Sequence, residues 1–181
     1  MSTCASIFGV RIQKMGNVSH MTEETTQGHL SESGESEQFV TFRIGEEDYA
    51  TAILDVQEII STGEITPYPN SSAYLLGVIN VRGTVAKVVS LAKLFGIPST
   101  VGSSPENNGY IILTKKDETL IGMLVDTVNS VLKFDKDLIQ PVSAISSTAT
   151  ATEFIQGAAM VNETMLLILD VPHILNKIEL Q

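Results

Sequence analysis

The sequence predicts a mainly β fold made of two small barrels lying side by side. Three observations carry this reading. Apolar and polar residues alternate in short runs separated by tight turns, helical spacing is confined to brief stretches, and a two-part pattern occurs twice in the same order along the chain.

The elements follow in order. Residues 1–36 are rich in Ser, Thr, Glu and Gly and show no sustained apolar period, so they read as a mobile tail ahead of a folded domain over 37–181. FVTFRI alternates as a half-buried strand, Gly45 to Glu47 make a turn, and DYATAIL returns as a second strand. In DVQEII, Val56, Ile59 and Ile60 at helical spacing predict one or two turns of helix behind an Asp55 cap. TPYPNSS breaks regular structure. GVINVRGTVAKVVSL then gives two strands about an Arg82-Gly83 turn, followed by a short LAKLFG helix that stops at Gly96 and Pro98. Residues 98–109 read as a loop, and a last helix begins beside Pro172 and His173.

The pattern then recurs. Sliding the chain by 71 places lays Tyr110–Val128 over Phe39–Gln57 without a gap, setting Asp126 over Asp55. A slide of 80 lays Gly157–Leu175 over Gly77–Phe95, with Gly157 over Gly77 and Thr164 over Thr84. Two matches in one order point to an internal duplication. Each unit of four or five strands would shed its exposed edges by closing into a barrel, and the two barrel subdomains, interleaved or adjacent, would share a groove. The stretch Gln140–Thr152 accounts for the longer second offset and is expected on the surface.

Composition removes several function classes. With 11 basic against 21 acidic side chains, the net charge of −10 disfavours nucleic-acid and anionic-membrane surfaces, which need a basic patch. The longest uncharged run, Ile65–Val81, holds Pro67, Pro69 and Asn70, so no bilayer-spanning segment is expected. The N-terminal apolar piece precedes Arg11 and Lys14, the reverse of a secretory signal, which makes the cytoplasm the expected compartment.

Catalytic equipment is sparse. Neither GxxxxGK[ST] nor GxGxxG occurs; Cys4, His20 and His29 lie in the tail and His173 stands alone. No cofactor or metal is therefore expected, and no enzymatic activity. Apolar surface is better represented. Ile79, Val81, Val85, Val88 and Val89 fall at both parities of the central strand pair, as a strand buried on both faces requires, whether inside the fold or against a partner. Arg82 in its turn is either solvated or paired with Glu58 to brace a barrel end.

At these residues the sequence resembles the CheW family of chemotaxis coupling proteins, over about residues 37–178. The carrying motifs are QFVTFRIGEEDYATAILDVQEI, YLLGVINVRGTVAKVVSLAKLFG and FIQGAAMVNETMLLILDVPHIL. The resemblance implies two five-stranded SH3-like barrels around a common hydrophobic centre. It implies a non-enzymatic scaffold that links the cytoplasmic tips of chemoreceptors to the regulatory domain of a CheA-type histidine kinase. It also implies site residues: Ile53, Val56, Glu58 and Ile59 on a receptor-facing strand and helix, and Gly77, Asn80, Val81 and Arg82 on the central motif, with Glu58 and Arg82 as a charge pair. The alternatives are an adaptor in a chemotaxis-like pathway with another output, such as surface motility, and a small ligand-binding or enzymatic β-protein using the inter-barrel groove.

Two positions depart from the family pattern. Lys87 stands where Pro is usual and Ser90 where Asp is usual, although Asp170 is kept at the aligned place in the second repeat. Ser can serve as a helix cap in its stead. Because the tail composition cannot support a core, deleting residues 1–36 is expected to leave the thermal midpoint within a few degrees of the full chain; a scanning melt of both proteins checks this.

Overall fold

The computed structural model describes residues 35–69, 72–99, 101, 108–141 and 152–179. The expected tail up to residue 34 and most of the two predicted loops fall outside these. Among the described residues the strands are β1 (Ser36–Ile44), β2 (Glu47–Ala52), β3 (Glu58–Ser61), β4 (Leu75–Val81), β5 (Thr84–Ser90), β6 (Tyr110–Lys116), β7 (Thr119–Val125), β8 (Thr127–Asp135), β9 (Gln140–Pro141), β10 (Ile155–Val161) and β11 (Thr164–Leu169). Helix α1 (Leu91–Phe95) follows β5 and α2 (Val171–Glu179) follows β11. The fold is mainly β, as the alternation predicts, and β1 opens at Ser36, inside the stretch read as tail.

Two sheets form, ordered β8-β1-β2-β11-β10-β9 and β3-β6-β7-β5-β4. Each joins a hairpin from one half of the chain to a hairpin from the other: β2 runs parallel to β11, and β5 runs parallel to β7. A barrel closed on the first hairpin pair alone is thus not what forms. Parallel pairing needs a long crossover, and the intervening half of the chain supplies it. Both sheets are curled. In the first, β8 at one edge leads through the 3-10 turn Lys136–Leu138 directly into β9 at the other edge. In the second, the chain leaving β3 bridges Thr66 to Val78 of β4, the opposite edge.

Most strands bury residues of both parities, which accounts for Ile79, Val88 and Val89, whereas Val81 is half-buried and Val85 is exposed. Ile79, Ala86, Val88, Ile111 and Leu113 fill the interior of the five-stranded sheet, while Phe39, Ala50, Phe134, Leu166 and Ile168 fill that of the six-stranded one. Val89, Ile112, Met123, Phe42, Tyr49 and Leu167 point the other way, into a central core shared by the sheets and both helices. Through that core runs a chain of rings, Phe42, Tyr49, Phe95, Phe154 and His173, with successive centroids 6.1, 5.7, 5.5 and 5.9 Å apart. Burial and the hydrogen bond that the Tyr49 hydroxyl donates to Glu47 Oε2 at 2.6 Å both push the phenol's pKa upward.

Two expectations need correction. DVQEII is not helical: a 3-10 turn covers Ile53–Asp55, and Glu58–Ser61 is a strand on β6. Ile59 packs on the central core and Ile60 on the five-stranded interior. Consecutive residues can serve opposite faces only with a period of two, and β-branched Ile-Ile beside an open sheet edge favours that outcome. The first repeat offset is also one residue short. Phe39↔Ala52 and Val40↔Thr51 in the first hairpin correspond to Ile111↔Leu124 and Ile112↔Met123 in the third, an offset of 72. This places Leu54, not Asp55, under Asp126. The same 72 carries the Ile60↔Ile111 pair onto Leu132↔Phe39, so β3 and β8 are equivalent strands. The offset of 80 agrees with the ladders, down to the bulge before Gly77 and before Gly157.

Thr51 is fully buried in β2, and its hydroxyl has no hydrogen-bond partner among the described residues. Thr51→Val keeps the shape and removes the orphaned donor, so it is expected to stabilise the protein by about 1 kcal/mol. Urea unfolding of the two proteins measures this.

Candidate protein-binding site

The β4–β5 hairpin turns on two residues with positive φ, Arg82 at 51° and Gly83 at 89°. This is the turn that matches strand twist, and it normally takes Asn or Gly at the first position. Asn80 Oδ1 steadies it by accepting from the Gly83 N–H at 2.7 Å. Arg82 therefore sits in a conformation that costs an L-residue with a Cβ about 1–2 kcal/mol. What it reaches is Glu58: Nη2 donates to Oε1 at 2.7 Å, with the Arg82 side chain 81% exposed and Glu58 31%.

The topology makes this contact more than a local ion pair. Glu58 opens β3 and Arg82 ends β4, the two edge strands of the five-stranded sheet, so the pair joins opposite edges at the barrel end. The second tie is the Thr66–Val78 bridge, whose two backbone hydrogen bonds measure 2.9 and 2.8 Å. Gly77 permits that bridge, because a Cβ there would stand 2.1 Å from the Thr66 carbonyl oxygen. Asn80 is exposed and pairs in register with Val85, which is 63% exposed.

The eight residues singled out in the sequence thus divide. Glu58, Asn80, Val81 and Arg82 come together at one barrel end, with Val81 half-buried against the five-stranded interior. Ile53 and Val56 lie on the crossover that carries the chain from β2 to β3, Val56 resting on the central core. Ile59 faces that core and Gly77 is buried, so both support the site from within. Val85, named above for its apolar parity, and Leu54 belong with the exposed set, although neither was among the residues the resemblance implies. Their signal was an apolar residue at a parity that the interior does not use. The departures from the family pattern are benign for the fold. Ser90 Oγ accepts from Lys93 N at 3.3 Å and caps α1, as Asp170 Oδ1 caps α2 by accepting from His173 N at 2.9 Å, while Lys87 is exposed.

Asp55 on the crossover is half-buried. Burial first, then the nearby charges of Glu37 and Asp170, raise its pKa above the ordinary carboxylate value. A folded-state pKa above the unfolded one means that the folded protein holds this proton more tightly. Its favourable contribution is present at low pH and lost as pH rises through the folded-state pKa. Asp55→Asn is accordingly expected to raise stability at pH 7, with the gain shrinking as pH falls to the ordinary carboxylate range; denaturant titrations at pH 7 and pH 4 check the sign.

Residues 38–179 match the model of the CheW-like domain. A probable chemotaxis protein CheW of Rhizobium etli is 30% identical over 142 residues, covering 78% of this chain and 89% of the relative. The chemotaxis protein CheW of Klebsiella aerogenes is 30% identical over 144 residues, covering 80% and 84%. Among solved structures, the scaffolding protein TtCheW from Thermoanaerobacter tengcongensis superposes with a TM-score of 0.65 at 31% identity, over 74% of this chain and 88% of that one.

Proposed function

The chain belongs to the CheW-like family of chemotaxis scaffold proteins, and from that premise we propose that it couples chemoreceptors to a CheA-type histidine kinase without catalysing a reaction itself. The observation that carries this reading is the Glu58–Arg82 pair at 2.7 Å. An arginine is held in a strained turn position, bridges two sheet edges, and still leaves most of its side chain exposed. Structure and recognition meet in one residue. With Asn80 and Val85 beside it, the barrel end offers a charged, hydrogen-bonding and apolar surface of the kind that docks a second protein.

The kinase's regulatory domain is assigned to this barrel end, and the receptor tip to the crossover residues Ile53 and Val56. Among the described residues no group of His, Cys, Asp and Glu is placed to hold a metal, and no helix is long and apolar enough to cross a membrane. Assembly is then a matter of shape and charge at two separate surfaces.

Because Arg82 is so exposed, the pair is worth only about 0–1 kcal/mol of stability. Arg82→Ala is expected to leave the thermal midpoint within a few degrees while weakening binding to the kinase regulatory domain by about tenfold or more and abolishing receptor-stimulated kinase activity. Reconstituted phosphorylation with receptor, kinase and adaptor measures the second effect; undiminished stimulation by the variant rules the assignment out. The swap Glu58→Arg with Arg82→Glu separates the roles, since it restores the brace with reversed polarity and should recover stability but not stimulation.

A further inference from the structure

Two cavities, of about 560 and 460 Å³, lie on either side of the crossover and share Leu54, Asp55 and Pro172 as lining. They form one groove. Its walls mix apolar and charged side chains, with Ile139 and Pro141 at one end and Val56 and Leu175 at the other. Leu54 lines both halves and is 84% exposed, so it offers an apolar side chain to whatever enters the groove.

The charges in this groove are unequally satisfied. Glu37 meets Lys136 Nζ at 3.2 Å. Asp170 accepts the His173 N–H at 2.9 Å and faces the positive end of α2. At the far end Lys115 pairs with Glu118 and Lys116 donates to Asn176. Asp55, at the junction of the two cavities, has no cation and no hydrogen-bond donor among the described residues.

We propose that the groove receives the receptor segment of the adaptor reading above, and that this segment presents a lysine or arginine whose alkyl stem lies over Leu54 and Pro172 and whose charge meets Asp55. The inference rests on that reading and adds the chemistry of the occupant. An apolar occupant alone would bury the Asp55 carboxylate without a partner, at the cost of an uncompensated charge. An acidic one would meet Glu37 and Asp170 beside Asp55 in the first cavity, where Lys136 is the one cation in the lining, while Lys115 and Lys116 stand in the second. A basic side chain satisfies both the apolar walls and the unpaired carboxylate, since Lys and Arg carry an apolar stem beneath a charged head.

A pH signature follows. The charged groups sharing a cavity with Asp55 are Glu37 on β1, Asp170 ahead of α2 and Lys136 on the 3-10 turn after β8 on one side, and Lys115 and Lys116 of β6 on the other. In the free protein burial, Glu37 and Asp170 favour the protonated form of Asp55. A docked cation favours the ionised form, so binding releases a proton and weakens as pH falls through the titration of Asp55.

The test titrates a soluble chemoreceptor cytoplasmic hairpin against the full chain by calorimetry, with wild type, Asp55→Asn and Asp55→Lys, and measures binding to the kinase regulatory domain in parallel. Asp55→Asn should weaken hairpin binding by about tenfold at low salt and flatten its pH dependence, Asp55→Lys should weaken it further, and kinase binding should not change. Reversing one basic residue of the hairpin to Glu should restore binding to Asp55→Lys. Asp55→Lys binding the hairpin as tightly as wild type overturns the inference while leaving the adaptor reading in place. Wild-type protein that binds the kinase domain but not the hairpin overturns the receptor half of that reading, and the inference with it. Both variants are expected to fold, because Asp55 makes no contact whose loss orphans a partner; melts of each confirm that lost binding is not lost structure.

Discussion

Burial of the Phe42, Tyr49, Phe95 and Phe154 rings between the two sheets sets the terms for everything else in this molecule. The rings come from β1, β2, α1 and the turn before β10, so the central core can be completed only when both halves of the chain are in place. Each sheet also has an interior of its own, and most strands therefore serve two cores at once. Neither sheet could stand alone with one face stripped, and the parallel β2–β11 and β5–β7 ladders knit the halves further.

One consequence is that the chain must cross between the sheets, and the Ile53–Gln57 crossover does so in the open. It carries the exposed Leu54 and the half-buried Asp55. Another consequence concerns the barrel ends. The same ladder offsets that relate the sheets place Ser130 where Glu58 stands and Asn162 where Arg82 stands, with Met160 and Met165 in place of Asn80 and Val85. The turns match, Asn162 and Glu163 also having positive φ, but only one end carries the charge pair. A shared frame thus displays two chemically distinct ends, which suits a protein whose work is to hold partners in a fixed arrangement.

Most of the architecture was legible in the residues. The two hairpins about Gly45 and Arg82-Gly83, the helix stop at Gly96 and the offset of 80 between Gly77 and Gly157 all rest on local chemistry, namely turn residues with positive φ and a period of two. The partner-site residues came through the family resemblance, and the structure brings half of them to one place. What escaped was non-local. Glu58–Ser61 and Thr127–Asp135 carry weak patterns because each lies at a sheet edge with a mixed environment, and only the equivalence of their pairing with β6 and β1 reveals them as the same element. The slide of 71 failed for a related reason: on strands apolar at both faces, a slip of one residue leaves the hydrophobic match nearly as good.

By itself, then, the sequence determined the β character, the duplicated order of hairpins and the family. The tertiary structure decided which hairpin pairs with which, that Ile59 and Ile60 part toward different cores, and that Glu58 closes on Arg82 across the width of a sheet. The physical reason is separation along the chain. Turn geometry and alternation act within a few residues of where they are written, whereas ladder pairing and the Glu58–Arg82 contact depend on free energies that exist only once distant segments share a core.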